Sequence, residues 1–221
     1  NNDAFAAGNA NNATATSSVS LGTGNTSSGV ASITLGEGNT ASGIKAVALG
    51  RANFASGDQS TVMGYSSSAI GNTSTAMGRD TLAEGDYSFS LGQDTTASGD
   101  WSVATGFGNT ASGTAAIASG QNSIAAGNNS VALGNGAVAN STAGASVVFG
   151  NGQASGEYSL SAGFNVENYG AATGIFGFDN IAEPTAEQDI NNVGKTLTPN
   201  QGLFIVGNGD GTTASNAFKV N

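Results

Sequence analysis

The chain contains no cysteine and no histidine among its 221 residues. Without cysteine there is no disulfide framework and no thiolate chemistry, a condition compatible with an extracellular location. Without histidine, the commonest general base and the commonest catalytic metal ligand are both missing. An enzyme here would need a carboxylate pair in a cleft. No acid pair is singled out by its spacing, so we expect neither catalysis nor a cofactor. Basic residues are nearly as scarce. Lys45, Arg51, Arg79, Lys195 and Lys219 face 15 acids, for a net charge of −10. That balance argues against nucleic acid, whose phosphates need a basic surface, and disfavours an anionic membrane surface. No apolar run reaches the roughly 18 residues of a spanning helix, so no direct membrane insertion is expected. The opening NNDAFAAGNA lacks the basic start and apolar middle of a secretory signal. The chain therefore reads as a segment of a longer protein whose export signal and anchor lie elsewhere.

What is abundant is glycine, with 35 residues, in a chain that is 38% hydrophobic and only 9% charged. This is too apolar for a flexible linker, yet poor in the large side chains of an ordinary core. Glycine recurs at every seventh residue from Gly22 to Gly134. The residues before alternate glycines differ, so the true unit spans two such intervals, as from Gly22 to Gly36. One half reads S-V-S-L-G, S-I-T-L-G or K-A-V-A-L-G, the other T-S-S-G, T-A-S-G or F-A-S-G.

Before the first kind of glycine, large apolar residues alternate with Ser, Ala or Thr. This is the period of a short strand with one large and one small face. A helix would carry a destabilising glycine every two turns, and a coiled coil would need large residues where glycine and serine stand. Two short strands and two glycine turns per repeat describe one coil of a narrow, all-β parallel solenoid, with successive coils stacked about 4.8 Å apart. Gly36, Gly43, Gly50, Gly57 and Gly64 are the expected corners. Val47, Leu49, Leu91, Val131 and Leu133 are expected to fill the interior, with the small face open to identical neighbours. A lone roll this thin buries little apolar area against the entropy of fixing its backbone, so self-association is the natural remedy.

NSVALGNGAVA (Asn129 to Ala139), KAVALGRANFASG (Lys45 to Gly57) and SFSLGQDTTASG (Ser88 to Gly99) resemble the YadA-like head repeats of trimeric autotransporter adhesins. The resemblance covers about residues 1–177. It implies a homotrimer of left-handed parallel β-rolls with 14-residue coils, at the tip of an outer membrane-anchored surface fibre that adheres to matrix proteins, glycans or cells. Similar rolls occur in bacteriophage tail fibres. LFIVGNGDGTTASNAFKVN (Leu203 to Asn221) resembles the segment that follows such rolls in some bacterial and phage fibre proteins. A tail-fibre segment for receptor binding or spacing therefore stays open beside the bacterial adhesin, as does a purely structural spacer.

Three regions follow. Residues 1–177 form the β-roll head, in which Ala15 replaces one expected glycine. VANSTAGASVVFG, with two extra residues, predicts a bulge or widened corner between Ala139 and Gly150. Residues 178–202, with Pro184 and Pro199, form an irregular connector holding a loop or short helix around AEQDI. Residues 203–221 form a hairpin from LFIV and AFKV that caps the open end of the roll.

Reading down the stack gives the candidate sites. Tyr87 and Trp101 occupy one column, one coil apart, and a neighbouring column adds Tyr65 and Phe107. Such aromatics stack on sugar rings, anchor a partner, or pack within the trimer. Asp86 and Asp100 also lie one coil apart, with Asp58 two coils before Asp86. They are calcium ligands or solvated turn acids, and the repeat of calcium-binding rolls is absent. Thr26, Thr40, Thr96 and Thr110 share a column of the kind seen in ice-binding solenoids, but Phe54, Ser68 and Leu82 interrupt it. GTGNT, GEGNT and GFGNT are not phosphate cradles, because no lysine-bearing P-loop and no helix follow them.

Overall fold

The computed structural model of the chain describes residues 3–140, 144–178, 203–207 and 216–219. All regular structure among these residues is β-strand, and the chain divides into two units, Asn1–Ala111 and Ser112–Asn221. The connector expected at 178–202, with its loop or helix around AEQDI, lies beyond Phe178 outside the described residues.

In the first unit each coil contributes one strand of five residues and one of two. Val47–Arg51 is followed by Phe54–Ala55, and Thr61–Tyr65 by Ser68–Ala69. Neither strand pairs with the other strand of its own coil. Val47 is in register with Ile33 before it and Thr61 after it, and Phe54 with Thr40 and Ser68, every pairing parallel and one full repeat apart. The molecule is thus an all-β parallel solenoid with coils of one repeat each, built from a long ladder and a short one.

The interior reverses the expectation from sequence. Ala46, Ala48, Ala41 and Ala55 are fully buried, as are Ser18, Ser20, Ser32 and Thr34 at equivalent positions. The large residues between them point outward. Leu91 is 40% exposed, and Ile33 and Leu35 are 40% and 49% exposed. Val47, Leu49, Val131 and Leu133 are only half-buried. The five residues expected to form the core therefore line the outer face of the long ladder. The physical reason is width: the largest fully buried hydrophobic side chains are Val62, Val148 and Val166, and none of the leucines from Leu21 to Leu160 is enclosed. Alternation identifies two faces of a strand without saying which one is enclosed, and here the small face is enclosed.

The seven-residue glycine spacing has two causes. Gly50 has φ +116°, where an L side chain is strained, and a Cβ there would also run into the Gly64 carbonyl oxygen. Gly43 lies outside the left-handed region, and its requirement is purely steric, because a Cβ would meet the carbonyl oxygen of Gly57 in the next coil. Gly36 and Gly64 follow the first pattern and Gly57 the second. The corners also use left-handed residues that are not glycine, including Lys45 (φ 59°), Ala52 (φ 55°), Tyr87 (φ 58°) and Trp101 (φ 56°).

The second unit keeps the regular register from Ile117–Gln121 to Val131–Asn135. Val131 then pairs with Val147, where the unbroken repeat would have brought Ala145, so the two extra residues fall in this coil. Residues 141–143 of the same coil lie outside the described residues. The next coil is one residue short, Val147 pairing with Leu160, and the register shifts between Asn151 and Gly152. The two extra residues expected between Ala139 and Gly150 thus fall in this stretch, and the bulge between Asn151 and Gly152 is a separate irregularity of the following coil. Leu203–Gly207 runs parallel to Thr173–Phe178, and Asn216–Lys219 returns antiparallel, which supplies the two strands of the expected hairpin.

Because the short-strand wall consists of fully buried alanines such as Ala55, Ala69, Ala83 and Ala97, enlarging one should force the walls apart. Ala69→Leu is expected to destabilise the roll by about 1–3 kcal/mol, read as a lowered thermal midpoint.

Candidate functional site

Stacking one coil on the next turns each position of the repeat into a column, and the columns are where this chain's chemistry lies. The first column points inward. Asn25 donates from Nδ2 to the carbonyls of Leu21 (2.9 Å) and Gly36 (2.7 Å). Its Oδ1 accepts from the backbone N–H of Asn39 one coil on (2.9 Å). Asn39 repeats the arrangement, donating to Leu35 and Gly50 and accepting from the Asn53 N–H. These asparagines belong to the GNT motifs that look like phosphate loops in sequence, and their amides are occupied with turning the corner. Spacing alone did not reveal the ladder, although the recurrence of Asn25, Asn39, Asn53 and Asn109 at one position of the repeat carries its trace.

The acidic column is explained in a similar way. The Oδ1 of Asp58 accepts from the Ile44 N–H (2.8 Å), that of Asp86 from the Asn72 N–H (2.8 Å), and that of Asp100 from the Asp86 N–H (3.0 Å). Each side chain caps a backbone donor of the coil before it. Among the described residues no group of three or more acids is placed to hold a metal ion.

The two aromatic columns separate. Tyr87 and Trp101 stack with ring centroids 6.0 Å apart and planes 6° from parallel, and both are more than half exposed. Tyr65 and Phe107 lie instead at the far end of the long strands, where each is the last residue. They stand three coils apart with Arg79 and Gln93 between them in register, so the structure does not bring them together. Tyr65 has a partner missed in the sequence reading, the Arg51 guanidinium, 5.6 Å from the ring centroid. Arg51 also sits 3.7 Å from Glu37, so ion pair and cation–π contact continue one column over three coils.

Thr26 and Thr40 stand side by side on the short ladder, as do Thr96 and Thr110, with Phe54, Ser68 and Leu82 between the two pairs. In the second unit, burial raises the pKa of the Tyr169 hydroxyl above its ordinary value, reinforced by its hydrogen bond to Glu167 and that residue's charge.

Coils of this kind define a parallel β-roll whose repeated positions line up as side-chain columns inside and outside. The family model described as YadA head domain repeat (2 copies) matches residues 27–53, 55–81, 83–109 and 111–137 in tandem. The chain belongs to this family, and its coils are YadA-like head coils. No curated protein matches the chain. The family is of the adhesin fibre-head type, structural and adhesive in character.

Asn39 tests the inner column. Asn39→Ala leaves the Leu35 and Gly50 carbonyls and the Asn53 N–H without their partner. It is expected to cost about 1–3 kcal/mol in chemical denaturation, with the coil register retained.

Proposed function

We propose that the chain is the head of a trimeric, surface-exposed fibre that mediates adhesion through many weak contacts. The observation that carries this reading is the outer face of the long ladder. Val19 and Leu21, Ile33 and Leu35, and Val47 and Leu49 form two in-register apolar columns that the roll itself does not enclose. A soluble monomer rarely keeps so continuous an apolar surface exposed. Identical rolls packed around a threefold axis cover it by repeating the same columns, in keeping with the trimers of the family. The narrow interior supports the same reading, because enclosed alanine and serine leave most of the large apolar groups to be buried between chains.

In this reading the trimer carries three copies of every column, and tandem coils repeat related surfaces along each chain. Adhesion then arises from effective concentration, with no single deep pocket required. The C-terminal hairpin covers the open edge that Thr173–Phe178 would otherwise present. The fibre stands outside the cell, and its receptors are proteins or glycans of the opposing surface.

Sedimentation of the purified chain should give a mass of three chains, and Leu35→Asp should dissociate it, since Leu35 is 49% exposed on the proposed contact face. Beads coated with trimer should hold to a matrix-protein and glycan array about 10²–10⁴ times more strongly than the same amount of dissociated variant. A stable wild-type monomer, or equal retention by both forms, contradicts the reading.

A further inference from the structure

The corner before each long strand repeatedly places one residue in the left-handed region. Ala31, Lys45, Gln59, Thr73, Tyr87 and Trp101 hold φ between 56° and 59°. Bulky side chains are uncommon in this conformation, whereas asparagine and glycine tolerate it. Asn129, in the NSVALG repeat, shows the less costly choice at the same place with φ 55°. Two successive coils nevertheless carry tyrosine and tryptophan there. A left-handed, exposed position filled in two successive coils by bulky aromatic residues points to a use for the side chains themselves.

The surroundings narrow that use. Tyr87 is 56% exposed and Trp101 59% exposed, and their near-parallel rings stack one on the other. Asp86 and Asp100 immediately precede the two rings, and each has one carboxylate oxygen committed to a backbone amide. The Asp86 second oxygen also meets the Asn72 side chain at 3.4 Å. On the coils before the rings, exposed Gln59 and Thr73 continue the same left-handed column. Flat apolar faces flanked by hydrogen-bonding carboxylate, amide and hydroxyl groups match the C–H face and hydroxyl edge of a pyranose. The carboxylates, and a net charge of −10, disfavour acidic sugars.

We propose that Tyr87 and Trp101 form a platform for a neutral oligosaccharide. Hexose rings lie against the stacked pair where its faces remain exposed, their hydroxyls donating to Asp86 and Asp100, and the glycan runs along the column toward Thr73 and Gln59. This goes beyond the adhesion reading by assigning a site and a ligand class. It depends on trimer formation only in that the corner must stay open.

Trp101 is the chain's single tryptophan, so its fluorescence reports on the site directly. The intact protein is titrated with neutral hexasaccharides of glucose, mannose and N-acetylglucosamine, and with a sialylated oligosaccharide. A saturable change in Trp101 emission with at least one neutral glycan, and weaker binding of the sialylated one, is expected. Tyr87→Asn should weaken that binding about tenfold while leaving the protein assembled and melting no lower than the parent, because asparagine suits the backbone better. Trp101→Asn, followed by calorimetry, should abolish binding with assembly intact. The absence of saturation by any neutral glycan overturns the proposal, as does preference for the sialylated one. Dissociation or a lowered melting point in either asparagine variant also overturns it, because the rings are then packing elements. Sedimentation of the parent separates these outcomes from failure of the trimer reading.

Discussion

The width of the coil governs the rest of the molecule. Two strand walls linked by corners only a few residues long stand so close that the interior accepts Ala, Ser, Thr, Asn and an occasional Val. Close packing then leaves no alternative place for leucines such as Leu35 and Leu91 and isoleucines such as Ile33 and Ile117, and they face outward, Ile175 being the one buried isoleucine among the described residues. The same tightness along the stack excludes a Cβ at Gly43 and Gly50, where the next coil's backbone occupies the space. Buried backbone groups at the corners still need partners, and side chains small enough to enter supply them. Asn39 bonds three backbone groups of its own and neighbouring coils, and Asp86 caps a backbone N–H from the outside.

A fold held by columns distributes function along columns as well. A substitution in one coil acquires meaning from the residue at the same position of the next, as Glu37, Arg51 and Tyr65 do through ion pair and cation–π contact. Most corners before the long strands carry small or polar residues, and the aromatic pair at Tyr87 and Trp101 departs from that pattern. The proposed platform draws on local sequence set on a repeating scaffold, a general property of folds that serve many functions. In the proposed trimer the apolar columns of the long ladder meet between chains, while the corner columns remain free to vary.

The period, the strand type, the parallel stacking and the C-terminal hairpin were legible in the sequence because glycine spacing and alternation encode them directly. The inside and outside of the strand were not. Val47 and Leu49 look like core by size, and only the separation of the walls assigns that role to Ala46 and Ala48. The aromatic column was legible as proximity, since Tyr87 and Trp101 stand one repeat apart, but its left-handed backbone was not, because glycine was the expected carrier of positive φ. Tyr65 and Phe107 look adjacent to that column in a linear reading. They belong to the opposite end of the long strand, a distance that alternation does not measure. The asparagine ladder was hidden by its resemblance to phosphate-binding loops.

The central claim, that small residues are enclosed within each chain and large ones between chains, is tested most directly by thiol labelling in a protein that has no cysteine of its own. Cysteine is placed at Ala48 or at Leu49, each in the parent and in the Leu35→Asp background, and the labelling rate is measured under native conditions. The account predicts that Ala48→Cys is protected in both backgrounds, whereas Leu49→Cys is protected in the parent and reactive once the chains separate. A Leu49→Cys thiol that labels in the intact parent as fast as a free thiol would contradict it.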